Sequence, residues 1–244
     1  MKTRPRINRW TEARRNLLFG DFSLQSLVQP HFVVEGNNVD APIRGMEGIH
    51  QQSVDVLIET IRSDAEHGIH AIMLFGVVNS TEKDEQATKA SDASSHLHKA
   101  VQQIKAEFGD SIVVMTDVCL CTATNHGHCG IVEHGHIVND ASVARLCEIA
   151  VSHAESGADY VCASDMMDGR VSEIRKALEN AQHSTTGVLS YSVKYASSFY
   201  GPFRHAADSS PEFGDRSTHQ MNVNSGYDEA ILEAKLDEGE GADI

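Results

Sequence analysis

Short apolar runs suited to strands alternate along most of the chain with longer amphipathic runs suited to helices, and this restricts the fold to a parallel α/β architecture. Pro30 to Glu35, Ala71 to Phe75, Ile112 to Val118, Tyr160 to Ser164 and Val188 to Tyr195 read as strands. Gln51 to His67, Leu97 to Phe108, Ser142 to Ser156, Val171 to Ala181 and Tyr227 to Glu238 carry helical spacing. Gly68 and Gly157 supply helix stops. Strands and helices at this pace imply right-handed crossovers between parallel neighbours, and Gly241 to Ile244 reads as the start of a further strand. The expected fold is a TIM (β/α)8-type barrel, C-terminally incomplete, with about five strands plus the start of a sixth. A doubly wound open sheet is the alternative, but no Gly-x-Gly-x-x-Gly follows the first strand.

Residues 1–30 read as an N-terminal arm with a short helix that Thr11 can cap and that Ala13, Leu17 and Leu18 give a modest apolar stripe; residues 31–244 form the barrel domain. Residues 79–95 are almost without apolar side chains and are expected to be a mobile loop with no chemistry.

The net charge of -15 disfavours attraction to phosphate backbones, so nucleic acid is excluded as an expected partner. No run of about 18 apolar residues is present to cross a bilayer, and the basic N-terminus lacks the apolar core of a secretory signal, so a soluble, cytoplasmic protein is expected. An organellar transit peptide, as for a plastid stroma, is the other reading of that segment. The basic residues between Lys2 and Arg15, set against an otherwise acidic chain, suit an arm that lies on an acidic neighbour. Five cysteines, three of them between positions 119 and 129, do not resemble a secreted disulfide framework and point to a metal site in a reducing compartment.

The chemistry-bearing residues lie where strands end, as a barrel requires: Asp117 and Cys119, then Ser164 and Asp165, then Lys194. Alternation along Val188 to Tyr195 puts Ser190, Ser192 and Lys194 on one face and Leu189, Tyr191, Val193 and Tyr195 on the other. An amine that faces a barrel interior is poorly solvated, its pKa falls, and the free base can attack a carbonyl; an exposed edge lysine is the plainer alternative. The long connection beyond it holds Tyr200, Phe203, Arg204, Arg216 and Gln220, and connections of that length are lids or disordered segments. Two guanidiniums and an amide beside an amine suit a small substrate with a carboxylate, although a solvated loop carries such charges too.

Cys119 and Cys121 are two apart at a strand end and face the same way, while the loop through Gly127 can return Cys129 to them. Three thiolates leave one zinc position open for water or substrate, with His126 or His128 as alternative fourth ligands. Cys147 and Cys162 read as core residues.

The strings SYSVKYASSFYGPFR and GDRSTHQM, with TDVCLCTATNHGHCGIV and ASDMMDGRV, resemble the lysine strand, lid and two further signatures of the porphobilinogen synthase (5-aminolevulinate dehydratase) family. The similarity runs in order from the N-terminal Arg-Pro-Arg to the last residue. The resemblance implies a lyase of heme and chlorophyll biosynthesis that joins two 5-aminolevulinate molecules into porphobilinogen through lysine Schiff bases. It implies that Lys194 forms one imine, and that Arg204, Arg216 and Gln220 hold that substrate's carboxylate. Tyr200 and Phe203 would be lid contacts, and Asp117 and Ser164 would lie near the other substrate's amine. It also implies zinc on Cys119, Cys121 and Cys129, a homo-oligomer (an octamer in the family) wrapped by the arm, and in some members an allosteric magnesium involving Glu233 and Arg9. Both of those are equally readable as surface charges.

The family's second lysine follows Gly-Ala-Asp in a Met-Val-Lys-Pro segment, which does not occur between Gly241 and Ile244. The expectation is that this chain alone condenses little substrate, and that it aggregates or pairs through unclosed strand edges. A non-catalytic homologue that binds zinc or associates with full-length subunits is the competing reading, and a class I aldolase-like lyase a third.

Overall fold

The computed structural model describes residues 3–18 and 22–244. Lys2, expected in the basic arm, and the part of the arm at residues 19–21 lie outside the described residues. Helix α1 is Glu12–Leu17, with Thr11 accepting a hydrogen bond from the Arg14 amide as its N-cap. Strand β1 (Gln29–Val33) is followed by β2 (Asp40–Pro42), β3 (His50–Gln52) and helix α2 (Val54–Glu66). Next come β4 (Ala71–Gly76), α3 (His96–Phe108), β5 (Val113–Val118), the small hairpin β6 (Val132–Glu133) and β7 (His136–Ile137), and α4 (Asn139–Glu155). The chain continues through β8 (Tyr160–Ala163), α5 (Arg170–Asn180), β9 (Gly187–Ser190), α6 (Gly201–Ala206) and α7 (Asp228–Glu240).

The main sheet runs β2-β3-β1-β4-β5-β8-β9, and every pairing except β2 with β3 is parallel. β1, β4, β5, β8 and β9 lie side by side in chain order, as successive strands of a barrel do. Side chains alternate cleanly along these strands. Val33, Ile72, Leu74 and Val114 pack against α2 and α3, and Val118, Val161, Ala163 and Val188 pack against α4 and α5. Their neighbours Phe32, Met73, Phe75, Met115 and Cys162 turn to the opposite face, where no long helix lies. A doubly wound sheet would carry helices on both faces, so helices on one face alone favour the barrel.

Residues 241–244 continue that order. Asp243 N donates to Val188 O at 2.8 Å and Ser190 N donates to Ile244 O at 2.9 Å, the beginning of a parallel neighbour for β9. On the opposite edge, β3 takes residues expected to open a helix. His50, Gln51 and Gln52 pair with β1 and β2, and α2 begins only at Val54. Three polar residues carry no readable alternation, so pairing to Phe32 and Val33 decides their conformation.

The arm seals the N-terminal end of the strands. Ile7 and Leu17 are buried in the inner cluster. Arg14, 3% exposed, donates to Asp159 at 2.7 Å and to the Thr185 carbonyl, just ahead of β8 and β9.

Residues 79–95 are not a free loop. Asp84 accepts from the amides of Gln86 and Thr88, Arg145 of α4 donates to the carbonyls of Gln86 and Ala87, and Lys83 pairs with Asp208 at 2.7 Å. Polar side chains that satisfy backbone groups replace apolar packing here, so composition alone was a poor guide to mobility.

His153 of α4 is 2% exposed, donates from Nε2 to the Ala90 carbonyl at 3.2 Å and lies 5.2 Å from His98, ring to ring. Burial, and secondarily His98, hold its pKa down to about 3. A histidine depressed from about 6.5 stabilises the fold fully above that value and loses its contribution as pH falls toward 3, on the order of 5 kcal/mol in all. His153→Gln, which keeps a donor for Ala90, is expected to flatten the decline in urea-unfolding stability between pH 7 and pH 4.

Candidate active site

The segments that follow β5, β8 and β9 meet where those strands end, with Lys194 against Ser164, Asp117 and the thiols. Beyond β5, Cys119, Cys121 and Cys129 gather with all ligand atoms within 4.8 Å of one another, the Cys119 and Cys121 sulfurs 3.3 Å apart. All three are buried and free of disulfides. The thiols of Cys119 and Cys129 stabilise Cys121 as the thiolate, so its pKa falls well below the usual thiol range while that of Cys119 rises. Neighbouring Arg216 and Lys194 reinforce the anionic Cys121. Three thiols able to share one negative charge form a soft donor set that could hold a metal ion.

His126 and His128 do not join this group. His128 Nε2 donates to the Phe213 carbonyl at 2.9 Å, and His126 Nδ1 accepts from the His128 amide. Among the described residues, the metal-capable group consists of the three cysteines alone.

Lys194 is 7% exposed, and its amine donates to the Ser164 carbonyl. The amine lies 5.4 Å from the Tyr191 ring centre and 5.6 Å from that of Tyr200. The regular strand ends at Ser190, four residues before Lys194, so strict alternation does not extend to the amine. Ser190 therefore faces Arg170 and Asp237 on the helix side, whereas Leu189 and Tyr191 belong to the inner cluster. The expected grouping of Ser190 with Lys194, opposite Tyr191, is corrected accordingly.

The expected fall in the lysine pKa is corrected as well. Burial lowers it, but Cys129, Cys119, Asp117 and Cys121 together outweigh burial and the net shift is upward. The sequence placed the amine in a dry site but not so close to so many acidic groups. Asp117 moves upward too, to about 7, because burial and the Cys121 thiolate disfavour a second anion, while Lys194 and Ser164 oppose that shift.

The connection after Lys194 folds back as a lid. The Met221 amide donates to the Lys194 carbonyl at 3.0 Å, so the lid's end returns beside its beginning. Helix α6 lays Phe203 on Phe75 and Phe32, with ring centres 5.1 and 5.8 Å apart, so Phe203 is a footing for the lid as well as a candidate contact. Arg216 is 2% exposed and donates to the carbonyls of Ser209 and Gly127. Gln220 is 3% exposed, and neither its amide oxygen nor its amide nitrogen has a partner. Arg204 is half-buried with an unpartnered Nε. Buried polar atoms of this kind are costly unless something binds them, so this wall is suited to a polar ligand.

Glu233 of α7 stands apart from the cysteines and Lys194. It lines a cavity of about 610 Å³ shared with Asp168 and Glu229 and also with His128 and Gln220 of the site's loops. Arg9, exposed on the arm, is not among that cavity's lining residues.

Two contacts of the lid were not legible in the sequence, one made by Lys83 and one at Gly127, which the sequence marks only for the return of Cys129. Lys83 belongs to the segment expected to be mobile, yet it ties the lid through Asp208. Gly127 adopts φ +70°, and a Cβ there would lie 2.3 Å from the Ser210 carbonyl oxygen. The cysteine loop and the lid can therefore touch here only at a glycine. Gly127→Ala is expected to cost at least about 2 kcal/mol in chemical denaturation and to expose residues 207–220 to proteolysis.

The family model for "Delta-aminolevulinic acid dehydratase" matches residues 2–244. The chain belongs to this family. Delta-aminolevulinic acid dehydratase of Methanothermus sociabilis is 48% identical over 222 residues, covering 91% of this chain and 68% of that protein. The relative of the same name from Archaeoglobus fulgidus is 43% identical, covering 98% of this chain and 74% of its own length. The crystal structure of the Toxoplasma gondii dehydratase in complex with the reaction product porphobilinogen superposes with a TM-score of 0.88 at 40% identity, covering 100% of this chain and 69% of that one. This chain thus spans about two thirds to three quarters of the length of these dehydratases. A family fold shared at this level supports the incomplete-barrel reading of the open sheet.

Proposed function

We propose that this dehydratase-family chain carries out porphobilinogen synthase chemistry, condensing two 5-aminolevulinate molecules to porphobilinogen with loss of two waters. The observation that carries the reading is the convergence of a buried amine, a three-thiol cluster and the Arg216–Gln220 wall at one end of the sheet. Lys194 is the nucleophile: its nitrogen adds to the substrate ketone, and the former carbonyl oxygen leaves as water when the imine forms. Arg204, Arg216 and Gln220 grip the carboxylate, and Tyr200 and Phe203 cover the substrate and exclude solvent. Asp117 and Ser164, beside the amine, receive the ammonium group of the second substrate.

Cys119, Cys121 and Cys129 fit zinc, since three buried thiols, with Cys121 held as the thiolate by the other two, offer soft donors with one position open. Zinc there would polarise a substrate carbonyl and offset the anionic charge that keeps Lys194 protonated. Glu233 lines one cavity with Asp168 and Glu229, but these carboxylates are not gathered into a metal-capable group, so an allosteric magnesium at Glu233 rests on the family resemblance alone.

Association into a homo-oligomer is part of the proposal and is supported by apolar residues left exposed near the N-terminus: Trp10 at 58%, Phe22 at 89% and Leu24 at 57%. Among the described residues, no helix is long and apolar enough to cross a membrane. Five free cysteines support a reducing compartment, the cytoplasm or a plastid stroma.

The test is reduction with borohydride in the presence of 5-aminolevulinate and zinc, followed by peptide mapping. A substrate adduct on Lys194 is the expected result. An adduct spread over exposed lysines, or none, would remove the reading. Addition of zinc in excess should also raise the melting temperature, since about 100-fold excess over Kd contributes about 2.7 kcal/mol.

A further inference from the structure

Arg170 opens α5 and is 2% exposed, yet nothing in the proposed chemistry uses it. Its guanidinium joins three segments. Nη1 donates to the Met167 carbonyl and to Asp237, each at 3.2 Å. Nη2 donates to Asp237 at 3.0 Å, to Ser190 Oγ at 3.0 Å and to the Tyr191 carbonyl at 3.5 Å. Nε lies 3.8 Å from Asp165, and Ser190 Oγ donates in turn to Asp237 at 2.6 Å. The loop after β8, the end of β9 and helix α7 are thereby locked to one planar group.

Two of those segments set where Lys194 sits. Its amine rests on the carbonyl of Ser164, the residue before Asp165, and on the ring side of Tyr191. The ladder between β8 and β9 stops at Ser190, and one further backbone bond, Tyr191 N to Ala163 O at 3.0 Å, extends it. Residues 192 and 193 hang beyond the sheet, so Lys194 is held on the lid side by the Met221 amide and on the strand side only through Ser190 and Tyr191. Arg170 acts at both.

We infer that Arg170, with Ser190 and Asp237, is a positioning residue for Lys194, holding the β9 end and the Ser164 loop at the separation the amine requires. A buried guanidinium shared by two carboxylates could be packing alone, because such pairs are weak arguments for stability. What distinguishes a brace is its reach past the carboxylates to the Ser190 hydroxyl and the Tyr191 carbonyl. The inference rests on Lys194 being the imine-forming amine.

Arg170→Met would strip the cation from Asp165 and Asp237 and risks misfolding, so Ser190→Ala and Ser190→Thr carry the test. Ser190→Ala removes the hydroxyl link and leaves the ion pair intact. With 5-aminolevulinate and borohydride, its limiting rate of adduct formation on Lys194 is expected to fall about tenfold, within what a misplacement of about 1 Å costs. The half-saturating substrate concentration should stay unchanged, because Arg204, Arg216 and Gln220 are untouched, and so should the melting temperature. Ser190→Thr, which keeps the hydroxyl, should restore the rate. A wild-type rate in Ser190→Ala, a loss that threonine does not recover, or a loss matched by a fall in melting temperature would overturn the inference. A wild-type chain that forms no adduct on Lys194 removes the functional reading itself, and is distinguished because it precedes any variant.

Discussion

Lys194→Met is expected to abolish the trapped 5-aminolevulinate adduct, lowering it by at least about a hundredfold by intact-mass measurement. Lys194 is the buried lysine among the described residues, and its amine alone faces Ser164, Asp117 and the thiols. Methionine fills a similar volume and can lie against Tyr191 and Tyr200. Loss of the cation beside Cys121 and Asp117 is expected to lower the melting temperature as well, so the adduct is scored on folded protein only. Full retention of the adduct in this variant would place the imine on another lysine and end the proposed role of this one.

Cys121→Ser is expected to weaken zinc binding by more than about a hundredfold in competition with a chromophoric chelator. Partners that only orient a metal ligand already account for 10- to 100-fold, so loss of a direct donor should exceed that. Cys121 is the member that the other two thiols and the cations Arg216 and Lys194 hold as the anion, so its loss removes the charge around which the site is built. Cys147→Ser supplies the control, because burial pushes that thiol up to about 11 and it lies outside the cluster. Equal zinc affinity in wild type and Cys121→Ser would separate the cysteines from the metal.

Periodicity in the chain sufficed to place the five parallel strands of the barrel order and the helices between them, because each apolar stripe has one low-energy way to be buried and long elements display it repeatedly. The cysteine cluster was equally legible, since Cys119 and Cys121 share a strand end and Gly127 permits the return of Cys129. The resemblance of four strings named the family that the comparisons then found. Features that depend on a distant partner were not legible. The three residues of β3 took their conformation from β1, and the ordering of residues 79–95 came from Arg145 and Asp208.

The direction and charge of Lys194 belong to the same class. Local alternation put it beside Ser190, but the strand stops there, and the amine's environment is assembled from Ser164, Asp117 and three thiols far apart in the chain. Local sequence therefore determined which elements form and which residue types are available for chemistry, because those follow from side-chain spacing and from the reactivity of amines and thiols. Only the tertiary structure decided how the amine is charged and braced, because electrostatic energy depends on distances in space that no sequence spacing encodes.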